Sequence, residues 1–112
     1  MLQTDDRPPA YLALDGELDI FRRDEIRHAL PDPANISSIV INCLRATYID
    51  SVILGALVGF RRDFVGAGGD PKNFVFILAK GSLLHRTFEL AGLTKLFAMA
   101  YVEGPSTEKG TI

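Results

Sequence analysis

The sequence predicts a small α/β domain with a mixed, mainly parallel β-sheet flanked by α-helices. Two nearly continuous apolar runs, 39–44 and 74–78, are typical of strands covered on both faces by helices. Helical patterns separate these runs from each other and from shorter apolar runs near both ends. Because helices that join parallel strands cross over the sheet, this alternation predicts the order strand, helix, strand, helix, strand, helix, strand.

Length and composition are those of one globular domain. The chain has 112 residues, of which 47% are hydrophobic, and a formal net charge of −2. A chain of this size buries enough surface to fold without disulfides. The single cysteine excludes a disulfide framework or a cysteine zinc module, and the two histidines lack ligand spacing. We therefore expect no metal and no cofactor, and the acidic balance argues against binding to nucleic acid.

Targeting patterns are absent from the sequence. The first ten residues are polar and contain Pro8-Pro9, which is unlike the apolar core of a signal peptide. The longest apolar stretch, Val52–Phe60, falls far short of the ~20 residues that a membrane helix needs. We therefore expect a cytoplasmic protein that does not enter the membrane.

The first half of the chain carries one strand and one helix before the long apolar run. Residues 11–14 are a short apolar strand, which the turn signal Asp15-Gly16 is predicted to end. A helix is predicted from a cap at Asp19 or a neighbour to about Leu30, where two prolines follow. Apolar residues at helical spacing give this helix one buried face.

The second helix is predicted over 52–65 and is apolar around most of its surface. Asp50 and Ser51 precede it and are both natural N-caps. The glycines of segment 66–69 end it. This segment resembles a nucleotide-binding loop only in composition, because a phosphate loop must precede a helix and these glycines follow one.

A third helix and a last strand complete the predicted domain. Ser82 is the expected N-cap of the helix, Gly92 its C-cap, and 99–102 an edge strand. The predicted organisation is an N-terminal segment over 1–10 that could form a short edge strand, a folded domain over 11–103 and a polar C-terminal tail over 104–112.

Enzymatic chemistry is not predicted. The chain has no G-x-S-x-G nucleophile motif, and His28 and His85 are expected on the surface or half-buried. Cys43 lies within a buried strand pattern and is interpreted as a small core residue rather than a reactive thiol. No nucleophile and base are paired by spacing, so we expect a binding protein rather than an enzyme.

Two short segments carry chemistry that packing alone does not require. Residues 16–19 read Gly-Glu-Leu-Asp directly after a strand, and residues 48–55 form a loop that enters the most apolar helix. The loop places the carboxylate of Asp50 and the hydroxyl of Ser51 at a helix N-terminus, where a phosphate on serine would be stabilised. The simpler alternative is that Asp50 or Ser51 only caps the helix.

These segments, in order and at their spacing, resemble the STAS domain, specifically the anti-sigma factor antagonists of bacteria. The family pattern is a strand followed by G-E-L-D, then a loop like F-I-D-S-S-G-L-G, then a helix ending in G-L-x-x-L-F. The matching residues span about 11–102 and are Gly16–Asp19, Tyr48–Ser51 with Leu54-Gly55, and Phe88–Leu93 with Leu96-Phe97.

The resemblance implies a STAS-like domain that regulates transcription through protein–protein interaction. Family members capture an anti-sigma factor kinase, so its sigma factor is released. The kinase then phosphorylates a serine at the start of the second helix, and the complex dissociates. The resemblance also implies one antiparallel edge pair in the sheet. A scaffold or small-ligand-sensing STAS domain in another signalling complex is the alternative, and the sequence leaves monomer or weak dimer open.

The sequence departs from the family pattern at its phosphorylation site. Val52 stands where the family has its phosphoacceptor serine, and Ile53 stands where it has glycine. Phosphorylation at residue 52 is therefore not expected, and Ser51 remains as a candidate, although a capping role would turn it towards the helix backbone. Asp19 and Asp50 both follow the C-terminal ends of strands, so they are predicted to lie near each other at one edge of the sheet. Five residues are predicted to bind the partner: Asp19, Asp50, Ser51, Val52 and Ile53.

Overall fold

The computed structural model describes residues 6–103, which form four β-strands connected by helices. The strands are β1 (Pro9–Leu18), β2 (Ser38–Ile49), β3 (Phe74–Ala79) and β4 (Ala98–Val102). The α-helices are α1 (Arg23–Ala29), α2 (Ser51–Gly66), α3 (Leu83–Leu90) and α4 (Leu93–Leu96). Short 3-10 helices cover Ile20–Arg22, Pro33–Asn35 and Pro71–Asn73. The predicted α/β class and the alternation of strands and helices are confirmed.

The four strands form a parallel sheet in the order β1-β2-β3-β4. The strand order follows the chain, and every pairing between these described strands is parallel, so the antiparallel edge pair that the resemblance implies does not occur among residues 6–103. Pro9 and Ala10 belong to β1 rather than to a separate edge strand. The rest of the predicted N-terminal segment lies partly, and the tail over 104–112 wholly, outside the described residues.

Only one face of the sheet is buried within residues 6–103. Alternate side chains of β2 and β3 are fully buried, whereas Val40, Val75 and Ile77 between them are half-buried. The predicted coverage of both faces is therefore wrong for the described part of the chain. The reason is topological: right-handed crossovers between strands in sequential order place every connecting helix on the same face. The buried strand residues are Leu14 and Leu18 in β1, Ile39, Ile41, Cys43 and Ile49 in β2, and Phe74, Phe76 and Leu78 in β3.

An aromatic cluster fills the core between this face and the helices. The ring of Phe74 lies 5.8 Å from that of Phe60 on α2, 5.5 Å from Phe76 and 5.6 Å from Phe97. Cys43 is part of the same core, as predicted, and burial raises the pKa of its thiol to about 12. A thiol held in this protonated form is a poor nucleophile.

His85 is more buried than the sequence suggested, and its contacts are structural. Its Nδ1 accepts a hydrogen bond from the backbone N–H of Gly81 at 2.9 Å, and its ring lies 4.5 Å from that of Tyr101. The N-cap of α3 is Ser82, as predicted, because its hydroxyl accepts from the N–H of His85 at 3.1 Å. His85 thus joins the start of α3 to β4.

The predicted turn at Asp15-Gly16 is wrong, because β1 continues through it. Gly16 has a φ of 71°, which glycine adopts without strain, and the pairing with β2 shifts register on both sides of it. The irregularity lets β1 run on to Leu18 beside an extended β2. The two strands therefore project beyond β3 as a ribbon, and their ends position the candidate site.

Candidate partner-binding surface

The ends of β1 and β2 meet at one edge of the sheet. Leu18 pairs with Ile49, and the backbone N–H of Asp50 donates to the carbonyl of Leu18 at 3.1 Å. Asp19 and Asp50 each follow one member of this pair. The structure thus brings both acidic residues to the edge where parallel sheets place their binding sites, as the sequence predicted.

Asp50 is the N-cap of α2. Its Oδ1 accepts a hydrogen bond from the backbone N–H of Ile53 at 3.0 Å, which satisfies one of the free donors of the first turn. Ser51 is the first residue of the helix and is exposed. The expectation that Ser51 turns towards the helix backbone as a cap is therefore wrong, since Asp50 already occupies that role.

Asp19 fixes the tight turn between β1 and α1. Its Oδ1 accepts a hydrogen bond from the backbone N–H of Phe21 at 3.0 Å. The next residue, Arg22, contacts the strand that precedes the turn. The Arg22 guanidinium donates to the carbonyls of Asp15 and Glu17, linking the turn back to β1. Residues 19–22 are thus tied to the strand that precedes them.

Arg22 also joins the turn to α1. Its Nη2 and Nε donate to the two carboxylate oxygens of Glu25 at 2.9 and 3.1 Å. This two-point hydrogen bond lowers the pKa of Glu25 and raises that of Arg22. Hydrogen bonds therefore hold the turn to β1 on one side and to α1 on the other, and the exposed side chains of Ile20 and Phe21 project from a fixed backbone.

Large apolar side chains are exposed around the two aspartates. Phe21 is 91% exposed, Tyr48 is 50% exposed and Val52 is 39% exposed. We call Asp19, Phe21, Tyr48, Asp50 and Val52 the strand-end surface. Exposed aromatic side chains flanked by polar groups are typical of protein–protein contact sites.

Ile53 does not belong to this surface. Its side chain is 0% exposed and packs in the core, so it is not available to a partner in this conformation. The predicted apolar contact of Val52 and Ile53 is therefore corrected to Val52 alone. The reason is helical geometry: consecutive residues point about 100° apart, so one faces outward while the next faces the sheet.

Phe21 was missed by the sequence reasoning, although a signal was present. Ile20 and Phe21 directly follow the Gly-Glu-Leu-Asp segment and lie off the apolar face that Ile26 defines in the next helix. Two apolar residues at the head of a charged helix, without a place on its buried face, indicate exposed contact residues.

Metal sites and membrane spans have no candidate among the described residues. Among residues 6–103, no group of three or more His, Cys, Asp or Glu side chains is placed to hold a metal ion. None of the helices in this range has the length and apolar character needed to cross a membrane.

Comparison with known proteins agrees with the architecture. The family model of the STAS domain matches residues 1–104, which is most of the chain. A search of curated proteins finds no significant match. The family match covers every strand and helix described above, as well as all five residues of the strand-end surface.

Proposed function

Because the chain belongs to the STAS domain family, we propose that it is an anti-sigma factor antagonist, which binds an anti-sigma factor and so frees a sigma factor for transcription. STAS domains are protein-binding and signalling modules, and this chain is one of them. The proposal adds the class of partner and the consequence of binding. Its contact site is the strand-end surface.

The exposure of Phe21 is the observation that carries the proposal. An aromatic side chain left 91% exposed has little role in folding, and its backbone is held by Asp19 and Arg22. An aromatic residue on a fixed backbone loses no backbone freedom on binding and can supply much of the interface energy. Asp19 and Asp50, which follow the paired ends of β1 and β2, favour a partner that presents basic groups.

Val52 supports the view that binding is not switched at the usual position. It is the second residue of α2, its side chain is 39% exposed and it has no hydroxyl to accept a phosphate. A kinase that reaches this position finds nothing to modify. Ser51 is exposed beside it, but a phosphate there would face the Asp50 carboxylate, which repels it.

The test is a binding titration with purified anti-sigma factor kinases encoded in the same genome, with and without ATP, followed by intact-mass spectrometry. We expect the wild-type chain to bind equally well in both conditions and to gain no phosphate. Val52→Ser restores the acceptor and is expected to gain one phosphate and to lose affinity when ATP is present. Leu83→Ser is the matched control, because Leu83 is also an exposed apolar residue in the first turn of a helix. This variant is expected to bind as wild type does and to gain no phosphate.

Two results would contradict this proposal. Stoichiometric phosphate on Ser51 of the wild-type chain would make Ser51 the switch. Failure to bind any anti-sigma factor of the genome would favour the alternative, a scaffold or ligand-sensing domain.

A further inference from the structure

A second feature of the surface is a groove between α1 and α2. Its volume is about 540 Å³. Small residues of α2, among them Gly55, Ala56 and Gly59, form its floor, and Arg23 and Arg27 of α1 form one wall. Val52 lies at one end, so the groove adjoins the strand-end surface without sharing its acidic residues.

The groove concentrates positive charge in a chain that is acidic overall. Three arginines and one aspartate line it, namely Arg23, Arg27, Arg62 and Asp63. The formal charge of the lining is therefore +2, against −2 for the whole chain. Within residues 6–103, Arg27 has neither a hydrogen bond nor an ion pair. Arg23 and Arg62 pair only with the exposed carboxylates next to them in sequence.

The glycines of the floor are not required by the packing of the chain itself. A Cβ at Gly55 would meet no atom within 4 Å, and at Gly59 only the Arg62 guanidinium at 3.6 Å. Neither glycine has a positive φ, and glycine within a helix is less stable than alanine. What the two glycines do provide is an open floor on which another backbone can lie close to α2.

We propose that this groove binds an acidic segment of the partner protein, with its carboxylates on Arg23, Arg27 and Arg62 and its backbone over Gly55 and Gly59. This inference rests on the proposed function and adds the chemistry of the partner's contact. The partner then meets two surfaces of opposite charge, the acidic strand-end surface and the basic groove. A partner segment that places basic groups on the strand-end surface and acidic groups in the groove is selected over a segment that carries only one sign of charge.

A peptide segment fits the groove better than a small anion does. One class of phosphate site converges backbone N–H groups on one point, as at a helix N-terminus, and this groove cannot form such a site. Residues 55–63 lie inside α2, where helix hydrogen bonds already use the N–H groups. Only guanidinium groups spread along the groove remain, together with apolar side chains such as Leu30 and Phe60.

The test compares two groove variants with two matched controls. Arg27→Glu reverses the charge of the unpaired arginine, and Gly55→Leu adds a side chain to the floor at a position where a Cβ meets no atom within 4 Å. Arg86→Glu, on the exposed side of α3, and Gly66→Leu, at the end of α2, make the same changes outside the groove. Each variant is titrated by calorimetry with two probes. The first is the anti-sigma factor, and the second is a synthetic amphipathic peptide with glutamates along one face.

We expect Arg27→Glu to weaken binding of both probes by about fivefold or more, and Gly55→Leu by about tenfold. Arg86→Glu and Gly66→Leu are both expected to change the affinity for either probe by less than about twofold. A peptide in which glutamine replaces each glutamate should not bind. The melting temperature of Gly55→Leu should equal or exceed that of wild type, so that lost binding cannot be attributed to unfolding.

Other results would overturn either the groove proposal or the proposed function, and they distinguish between the two. Unchanged affinity of both groove variants for the anti-sigma factor overturns the groove proposal and leaves the proposed function standing. Peptide binding that depends on Arg27 and Gly55, without binding to any anti-sigma factor, overturns the proposed function instead. Displacement of the peptide by pyrophosphate at similar concentration makes the groove a small-anion site. Self-association that Gly55→Leu abolishes makes it a contact between two copies of the chain. Either of these last results also overturns the groove proposal.

Discussion

Replacing Ile53 with glycine is expected to lower the free energy of unfolding by about 4 kcal/mol. Ile53 is 0% exposed, and removing a buried isoleucine side chain costs roughly 2–5 kcal/mol through lost burial and the cavity left behind. The glycine adds a further loss of about 1 kcal/mol in helix propensity. Urea denaturation followed by circular dichroism measures this change in the free energy of unfolding. If the dependence of that free energy on urea concentration is the same in both proteins, the folded and unfolded states have kept their compactness.

Val52→Gly is the matched control for this prediction. It makes the same substitution at the neighbouring helix position, where the side chain is 39% exposed, and is expected to cost under about 1 kcal/mol. If Ile53→Gly costs no more than Val52→Gly, then Ile53 does not occupy the core. The two positions together also show why Val52→Ser alone is used to restore the phosphoacceptor. A glycine at residue 53 would empty part of this core.

Replacing Phe21 with alanine is expected to weaken binding to the anti-sigma factor by about 2 kcal/mol or more, which is roughly 30-fold in Kd. The reason is that Phe21 is the most exposed large apolar residue in the described chain and is held by the Asp19 and Arg22 contacts. Because the ring buries almost nothing in the free chain, stability should change by less than about 0.5 kcal/mol. Calorimetric titration and a thermal melt measure the two quantities.

Leu90→Ala is the control for Phe21→Ala. Leu90 is 83% exposed and lies on α3, away from the ends of β1 and β2. It tests whether any large exposed apolar side chain has the same effect. Equal affinity of Phe21→Ala and wild type would move the contact away from the strand-end surface. An equal loss in both variants would indicate nonspecific apolar binding.

Much of the fold was predictable because local patterns agreed with it. The apolar runs 39–44 and 74–78 mark the two central strands, although β2 extends further, and Ser82 caps its helix as expected. The positions of Asp19 and Asp50 at one edge followed from parallel topology alone. The strand and cap signals each lie within a few residues of the sequence, whereas the common edge follows from the alternation of strands and helices.

Other features were not predictable because one pattern fits two structures. Asp15-Gly16 is equally suited to a turn and to a strand irregularity, and only pairing with β2 decides between them. In α2 the apolar residues surround most of the helix, so periodicity did not separate buried Ile53 from exposed Val52. The uncovered sheet face likewise depends on strand order, which no local pattern encodes.

The activity that we propose for this chain is the release of a sigma factor through binding of its anti-sigma factor. The most direct measurement is a competition assay on a preformed complex of a labelled sigma factor and its anti-sigma factor, both from the same genome. The account predicts that the wild-type chain displaces the sigma factor in a dose-dependent way with ATP present, and that Phe21→Ala displaces it far less well. No displacement from any such complex at saturating concentrations of the wild-type chain would contradict it.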